Sequence, residues 1–213
     1  MQFICSRSNN MIQRLTIKKG FELFLFFFIA GSVQSQCISD EYCKRIIKET
    51  RLNFYKPNNY FCITPPGSYF DIHPSYKQSI FCIAMINKDN SVMITVSPMP
   101  YPKGVSKAEK FLIATEDLNH LSKEALAVQM DIRFSNKNLI GVPQLKKINA
   151  NRAYVYNMKV YKSYLGIYPR CKKIVVYKDN IGRAEILFFY KENQEKIVNE
   201  EIKKTWGMLK FKA

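Results

Sequence analysis

The clearest pattern of apolar and polar positions in the chain lies in Ser79–Val96. Ile80–Ile86 is almost wholly apolar, a polar tetrapeptide of turn-forming residues follows, and a second β-prone run closes the stretch. Two such runs on either side of a short polar turn predict a β-hairpin. Val92, Ile94 and Val96 fall on one face of the returning strand, because side chains alternate along a strand. An isolated hairpin is not stable in water, so the pattern also predicts that other elements cover it.

Helical patterns flank the predicted hairpin. Apolar positions recur at intervals of three and four within residues 39–51, which indicates a short helix with Ser39 as its N-cap. In residues 106–109 a hydroxyl is followed three positions later by a carboxylate, and this capping box predicts that a second helix begins at Ser106. A third, amphipathic helix is expected over residues 192–206, with Asn193 as its N-cap.

Alternating apolar and polar positions predict further strands. An Asp-Asn-Ile-Gly turn joins the last two long strands into a second hairpin, because Asn and Gly adopt positive φ at low cost. Together these elements predict a single α/β domain of the α+β type, in which helices pack on a mostly antiparallel sheet. The expected strands outside the first hairpin are Tyr60–Thr64, residues 152–161, Lys173–Lys178, Ala184–Tyr190 and Met208–Phe211.

The N-terminal segment contains the three parts of a secretory signal. A basic stretch with Arg14, Lys18 and Lys19 precedes a phenylalanine-rich apolar run, and small and polar residues follow up to Gln36. The apolar run, Leu23–Val33, is shorter than the roughly 20 residues that a membrane-spanning helix needs. We therefore expect the segment to be cleaved and the remainder to be exported to the periplasm or the cell exterior.

This interpretation divides the chain into two parts. Residues 1–36 are interpreted as the signal peptide, and residues 37–213 as a single exported domain. Met11 gives a more typical signal start, so residues 1–10 are interpreted as an extension from a mis-assigned start codon. The alternative is an uncleaved segment, which would leave the domain anchored in a membrane as a tethered structural protein.

The cysteines indicate disulfides, because export places the chain in an oxidising compartment. The expected mature chain has five cysteines, so at least one is unpaired or bonded to another chain. Cys62 and Cys82 are the preferred pair because they lie on strands that could be neighbours, and Cys37 and Cys43 bracket the start of the first helix. The sequence does not fix the pairing, since a bridge needs Cα atoms within about 7 Å. The fifth cysteine is Cys171.

The net charge of residues 37–213 favours some classes of binding partner over others but does not identify one. Residues 37–213 contain 29 basic and 16 acidic residues, a net charge of +13. This charge favours anionic partners, while the simpler interpretation is a solvated basic surface. The partner itself stays unknown; an envelope protein, an anionic polymer and an anionic lipid are the classes considered, and nucleic acid is not expected.

One stretch interleaves aromatic and basic residues around a predicted loop after Tyr161. Aromatic rings stack on sugars or bases, and cations pair with phosphate or sulfate, so the stretch is a candidate ligand-binding surface. The alternative is a tyrosine-rich strand end whose lysines face solvent. Under both interpretations Lys162, Arg170 and Lys172 are expected to be exposed. The candidate residues are Tyr161, Lys162, Tyr164, Tyr168, Arg170, Lys172 and Lys173.

No catalytic or metal-binding motif stands out in the sequence. It has no Gly-x-Ser-x-Gly elbow, no phosphate-binding glycine loop and no Cys-x-x-Cys pair. The two histidines, His73 and His120, are far apart and lack the spacing of zinc ligands. We therefore assign no catalytic residue, metal or cofactor, and expect a binding protein rather than an enzyme. A hydrolase whose site the sequence does not reveal, such as one with a cysteine–histidine pair, is the alternative.

Two stretches and the order of the elements carry a family resemblance. Tyr60–Gly67 reads as an early strand that ends in a proline-glycine loop, and Ile197–Phe211 as a closing helix that leads into a short strand. With the element order over residues 53–212, these features resemble the PsbP-like α/β sandwich family. The family includes non-enzymatic binding and assembly proteins, so the resemblance implies no particular activity. The function expected here is that of a small exported binding or assembly protein of unknown ligand.

The signal interpretation predicts where exported protein begins. N-terminal sequencing of secreted material should start between Ser35 and Cys37, because cleavage near Gln36 removes the whole apolar run. Protein recovered from membranes with Phe24–Phe28 still present would contradict cleavage and support the uncleaved anchor.

Overall fold

Antiparallel strands form the centre of the fold. The computed structural model describes residues 37–38, 40–66, 80–102, 104 and 139–213. Its strands are, in chain order, β1 (Leu52–Phe54), β2 (Tyr60–Cys62), β3 (Ile83–Asn87), β4 (Val92–Pro100), β5 (Arg152–Tyr164), β6 (Tyr168–Lys178), β7 (Gly182–Tyr190) and β8 (Leu209–Phe211). Six of them make one sheet in the order β2-β3-β4-β7-β6-β5, while β1 and β8 make a separate two-stranded ribbon. Every pairing is antiparallel.

Helices pack against this sheet, so the predicted α+β class is confirmed. Cys37–Ala213 forms one compact unit. The described helices are α1 (Glu41–Glu49), α2 (Val142–Lys147) and α3 (Glu195–Thr205). None of the helices in the described ranges is long and apolar enough to cross a membrane.

The first predicted hairpin is confirmed, although its first strand begins at Ile83 rather than Ile80. Ile83 pairs with Val96 across β3 and β4. The side chain of Asn87 closes the turn, because its Oδ1 accepts a hydrogen bond from the Val92 N–H at 3.0 Å. The second predicted hairpin is also present as β6 and β7.

Alternating side chains give the sheet two buried faces. Ile94 and Phe188 belong to one apolar cluster, together with Val198 of α3. Met93 and Phe189, one position along each strand, belong to a second cluster on the opposite face. Burial on both faces explains why these strands appear in the sequence as nearly continuous apolar runs.

Two of the three predicted N-caps, Ser39 and Asn193, are wrong, and the third, Ser106, lies outside the described residues. Helix α1 is capped by Asp40, whose Oδ1 accepts a hydrogen bond from the Cys43 N–H at 2.7 Å. Ser39, the predicted cap, lies outside the described residues. Helix α3 begins at Glu195, so its N-cap is Gln194, whose side chain makes no capping hydrogen bond, and the predicted cap Asn193 lies one residue earlier.

Two further differences from the prediction concern helices. Helix α2 was not predicted from the sequence. Pro143 lies in its first turn, where a backbone N–H has no acceptor within the helix, so the absence of an N–H in proline breaks no hydrogen bond. The helix predicted to begin at Ser106 lies outside the described residues, as do residues 1–36.

Two disulfides connect the start of the described chain to the sheet. Cys37 is bonded to Cys62, with Cα atoms 4.8 Å apart, and Cys43 is bonded to Cys82, with Cα atoms 5.0 Å apart. All four candidate cysteines are therefore used, but the preferred Cys62–Cys82 pair is wrong. In the β2–β3 register Cys62 lies opposite Met85. Cys82 is three residues before Met85, roughly 10 Å along an extended chain, which is too far for a direct bridge.

The ribbon of β1 and β8 continues directly from α1. Asn53 lies opposite Lys210, and the Lys212 N–H donates to the Arg51 carbonyl at 2.7 Å. Two strands of three residues are not stable alone, so the ribbon depends on its apolar side. The inward-facing residues, which join the first cluster, are Leu52, Phe54, Leu209 and Phe211.

The disulfides predict a specific peptide map. Non-reducing digestion of the oxidised protein should yield Cys37 linked to Cys62 and Cys43 linked to Cys82. Replacing Cys43 and Cys82 together by Ala opens a loop of 39 residues. By the chain-entropy account this should lower the free energy of unfolding by roughly 3–4 kcal/mol, as measured by urea denaturation. A Cys62–Cys82 linked peptide would contradict the structure.

Candidate functional site

The predicted ligand-binding stretch forms the β5–β6 hairpin, and its two described tyrosines near the tip are buried. Tyr164 and Tyr168 each expose 2% of their surface. The ring of Tyr164 stacks on Phe189 with ring centres 4.5 Å apart. These tyrosines therefore pack in the second cluster and are not available to stack on a ligand. The side chains of Tyr161 and Lys162 lie outside the described part of the structure.

Lys172 faces α3 and is largely covered. Its amino group pairs with the Glu195 carboxylate and donates to Asn199 Oδ1 at 2.7 Å. The side chain is only 11% exposed, so the expectation that Lys172 is exposed is wrong. The cause is the alternation along β6, which turns this lysine toward the face that the helix covers.

Arg170 is exposed as predicted, but a carboxylate neutralises it. Its guanidinium donates two hydrogen bonds to Glu192 Oε1, from Nη2 at 2.7 Å and from Nε at 3.1 Å. This hydrogen bonding to Glu192 raises the pKa of Arg170 above its ordinary value. The arginine is therefore a paired surface cation and not a free charge for an anionic ligand.

A cleft of about 240 Å³ lies between β6 and the start of α3, and Arg170, Glu192 and Glu195 are among the residues that line it. Tyr190 Oη donates to Glu195 Oε2 at 2.6 Å. Burial acts to raise the pKa of Glu195, but hydrogen bonds from Lys172 and Tyr190 lower it overall. Because Glu192 and Glu195 face Arg170 and Lys172, the cleft has no excess of positive charge.

Cys171, in the wall of this cleft, is the free cysteine of the described chain. It exposes 1% of its surface, and burial raises the pKa of its thiol far above the ordinary value. Since the thiolate is the reactive form, this thiol is chemically inert in the folded protein. No group of three or more His, Cys, Asp and Glu side chains in the described ranges is placed to hold a metal.

The remaining candidate, Lys173, belongs to a buried ion cluster on the second face of the sheet. Its Nζ lies 2.8 Å from Glu185 Oε2, and Arg183 Nε lies 3.3 Å from Glu185 Oε1. The side chains of Lys173 and Glu185 expose only 2% and 5%. Lys173 also lies over the ring of Tyr156, at 5.9 Å from its centre. Its position is that of a structural ion-pair partner.

A larger cleft of about 390 Å³ lies where the connection between β1 and β2 meets the end of α3. Glu201 forms its floor, accepting hydrogen bonds from Tyr60 Oη at 2.8 Å and from Lys204 Nζ at 2.9 Å. Burial and the bond to Glu201 raise the pKa of Tyr60, so its hydroxyl stays protonated and continues to donate. The rest of the lining offers an exposed aromatic ring, an amine and two amides: Tyr55, Lys56, Asn58 and Asn59.

The outer side of the ribbon leads away from this cleft and carries exposed cations. Arg51, Lys210 and Lys212, which we call the ribbon cations, form no ion pair with any carboxylate in the described ranges. Arg51, which has a φ of +48°, directly precedes β1, and its carbonyl accepts a hydrogen bond from the N–H of Lys212, directly after β8. The ribbon therefore brings two residues of like charge together at one end, and like charges near one another repel.

The ribbon cations and the Glu201 cleft are missing from the sequence-based candidates. One signal for them exists: residues 209–212 alternate Leu, Lys, Phe and Lys, which places both lysines on the outer side of a strand. No local pattern shows that Arg51 joins them, because β1 and β8 are distant in sequence and meet only in the folded chain.

Comparisons of the chain with protein-family models, with curated proteins and with solved structures found no match. The resemblance to the PsbP-like family therefore stays a prediction from element order and sequence features. What can be inferred about function rests on the geometry of the chain itself.

The buried ion cluster predicts an asymmetric effect of two similar substitutions. Glu185→Gln should lower the free energy of unfolding by about 3–5 kcal/mol, because it removes the carboxylate from a buried ion pair. The matched control is Glu192→Gln, which breaks the exposed pair with Arg170 and should cost less than about 1 kcal/mol. Urea denaturation measures both values, and equal losses would show that the Lys173–Glu185 pair is not buried as described.

Proposed function

We propose that residues 37–213 are an exported, non-enzymatic binding domain that holds an anionic polymer on the ribbon cations. The observation that carries this function is that three exposed cations without a described carboxylate partner lie together on one ribbon. Arg170 and Lys172 of the predicted surface have carboxylate partners, whereas the ribbon cations have none among the described residues. A surface that attracts polyanions needs charges that the protein has not already neutralised.

The energetics of the ribbon support this function. The backbone hydrogen bond between Lys212 and Arg51 brings two residues of like charge together, and their repulsion costs stability. A bound polyanion removes that repulsion and releases its own condensed counterions, so the unfavourable arrangement becomes favourable in the complex. The net charge of +13 on residues 37–213 adds long-range attraction and increases the association rate.

Export is supported by the two disulfides, which are typical of proteins in oxidising compartments. In the periplasm or outside the cell, such a domain would meet polyanions of the envelope. An assembly role would use the same ribbon to hold the domain on one of these polymers.

A charge-removal series tests this function. Replacing Arg51, Lys210 and Lys212 together by Ala should make the protein elute from immobilised heparin at a clearly lower salt concentration. The slope of log Kd against log salt should fall by roughly 2 to 3, if each lost contact contributes as a phosphate contact does in duplex DNA. The inward side of the ribbon is unchanged, so the thermal midpoint should be equal or higher.

The matched control removes the same charge elsewhere. Lys88, Lys191 and Lys196 lie in the β3–β4 turn, after β7 and in the first turn of α3, away from the ribbon. Their triple Ala variant should elute close to the wild type. Equal shifts for the two variants would show that retention reflects net charge and not the ribbon, and would contradict the proposed function.

A further inference from the structure

Building on the proposed function, on which this inference rests, we propose that the polymer is an acidic polysaccharide with one sugar ring in the cleft above Glu201. The ribbon cations pair with the acid groups of the polysaccharide. The cleft binds the hydroxyl groups and one face of a sugar ring. The two parts form one continuous site.

The outer side of the ribbon leads directly into the cleft. Asn53 and Tyr55 alternate with the buried Leu52 and Phe54, so they share the outer side of β1, and the exposed Arg51 directly precedes the strand. From Arg51 to Tyr55 this strip spans about 13 Å, at about 3.3 Å per residue. The Tyr55 N–H donates to the Met208 carbonyl at 2.8 Å, which fixes the backbone of this tyrosine at the cleft. An extended polymer of a few sugar units is therefore long enough to contact both the cations and the cleft.

The cleft has hydrogen-bonding groups of the kind that sugar hydroxyls match. Each carboxylate oxygen of Glu201 accepts one hydrogen bond, from Tyr60 or from Lys204, and retains a further lone pair. A sugar hydroxyl can donate to such an oxygen. The side-chain amides of Asn58 and Asn59 both donate and accept, as hydroxyl groups do.

Tyr55 gives the cleft an aromatic wall. Its side chain is 51% exposed although it is large and mostly apolar. An exposed ring beside a few convergent polar groups is typical of small-ligand sites, where the ring covers the apolar face of the ligand. Here that face is the C–H face of a pyranose ring.

The Tyr55 ring and the acceptor oxygens of Glu201 determine which polyanion fits. Glu201 is paired with Lys204, and its remaining lone pairs accept hydrogen bonds from hydroxyl groups, which a sugar has and ionised polyphosphate lacks. Polyphosphate also has no apolar face to cover the Tyr55 ring. An acidic polysaccharide presents acid groups to the ribbon and hydroxyl groups to Glu201, so its chemistry matches both parts of the site.

Calorimetric titration of the purified, disulfide-intact protein tests this assignment with two probes. A heparin-derived hexasaccharide and polyphosphate of matched charge are compared at one salt concentration, and the wild type should bind the hexasaccharide more tightly. Tyr55→Ala should weaken hexasaccharide binding roughly tenfold, as loss of one stacking ring does for nucleic-acid bases, and leave polyphosphate binding unchanged. Tyr55→Phe keeps the ring and should bind the hexasaccharide within about twofold of the wild type.

The matched control is Phe61→Ala. Phe61 is 60% exposed on β2, the next strand along the chain, and does not line the cleft, so this variant should bind both probes as the wild type does. No effect of Tyr55→Ala, equal weakening of both probes, or tighter binding of polyphosphate would each overturn the saccharide assignment. In those cases salt-dependent binding through the ribbon cations still supports the proposed function. No salt-dependent binding of either probe would overturn the proposed function and this inference together.

Discussion

The Cys43–Cys82 disulfide is the constraint on which the position of the ribbon depends. It fixes α1 to the chain that enters β3, and α1 ends at Glu49, just before β1 begins. The ribbon has only three residues in each strand and is too short to be stable by itself. Its apolar side and its connection to the anchored helix therefore hold it in place. As a result, the backbone positions that carry the ribbon cations are held together in the folded domain.

Strand alternation decides which cations remain available to a ligand. On β6 the adjacent Lys172 and Lys173 point to opposite faces of the sheet, and each has a carboxylate partner. On β8 and its flank, Lys210 and Lys212 are two positions apart and share the outer side, where no described carboxylate pairs with them. The lysines of β6 therefore take part in packing, whereas Lys210 and Lys212 form part of a charged surface. The net charge of the chain does not show which lysines are paired and which are not.

Local periodicity was enough to predict most of the fold, but not the site. Both hairpins, the helix α1 and the closing α3–β8 unit depend on patterns within a few residues of each other. The partner of Cys62 and the exposure of Lys172 depend instead on strand register and on how α3 packs, which no short window of sequence contains. The ribbon cations combine residues from the two ends of the domain. Predicting them would have required knowing beforehand that β1 pairs with β8.

The claim that the ribbon is the binding surface is tested most directly by mapping the contact. Heparin-derived oligosaccharide is titrated into ¹⁵N-labelled, disulfide-intact protein, and the backbone amide shifts are followed by NMR. We expect the largest shifts in residues 51–60 and 204–212, which form the outer side of the ribbon and the Glu201 cleft. Shifts centred instead on Arg170, Lys172 and the β5–β6 hairpin would contradict this account.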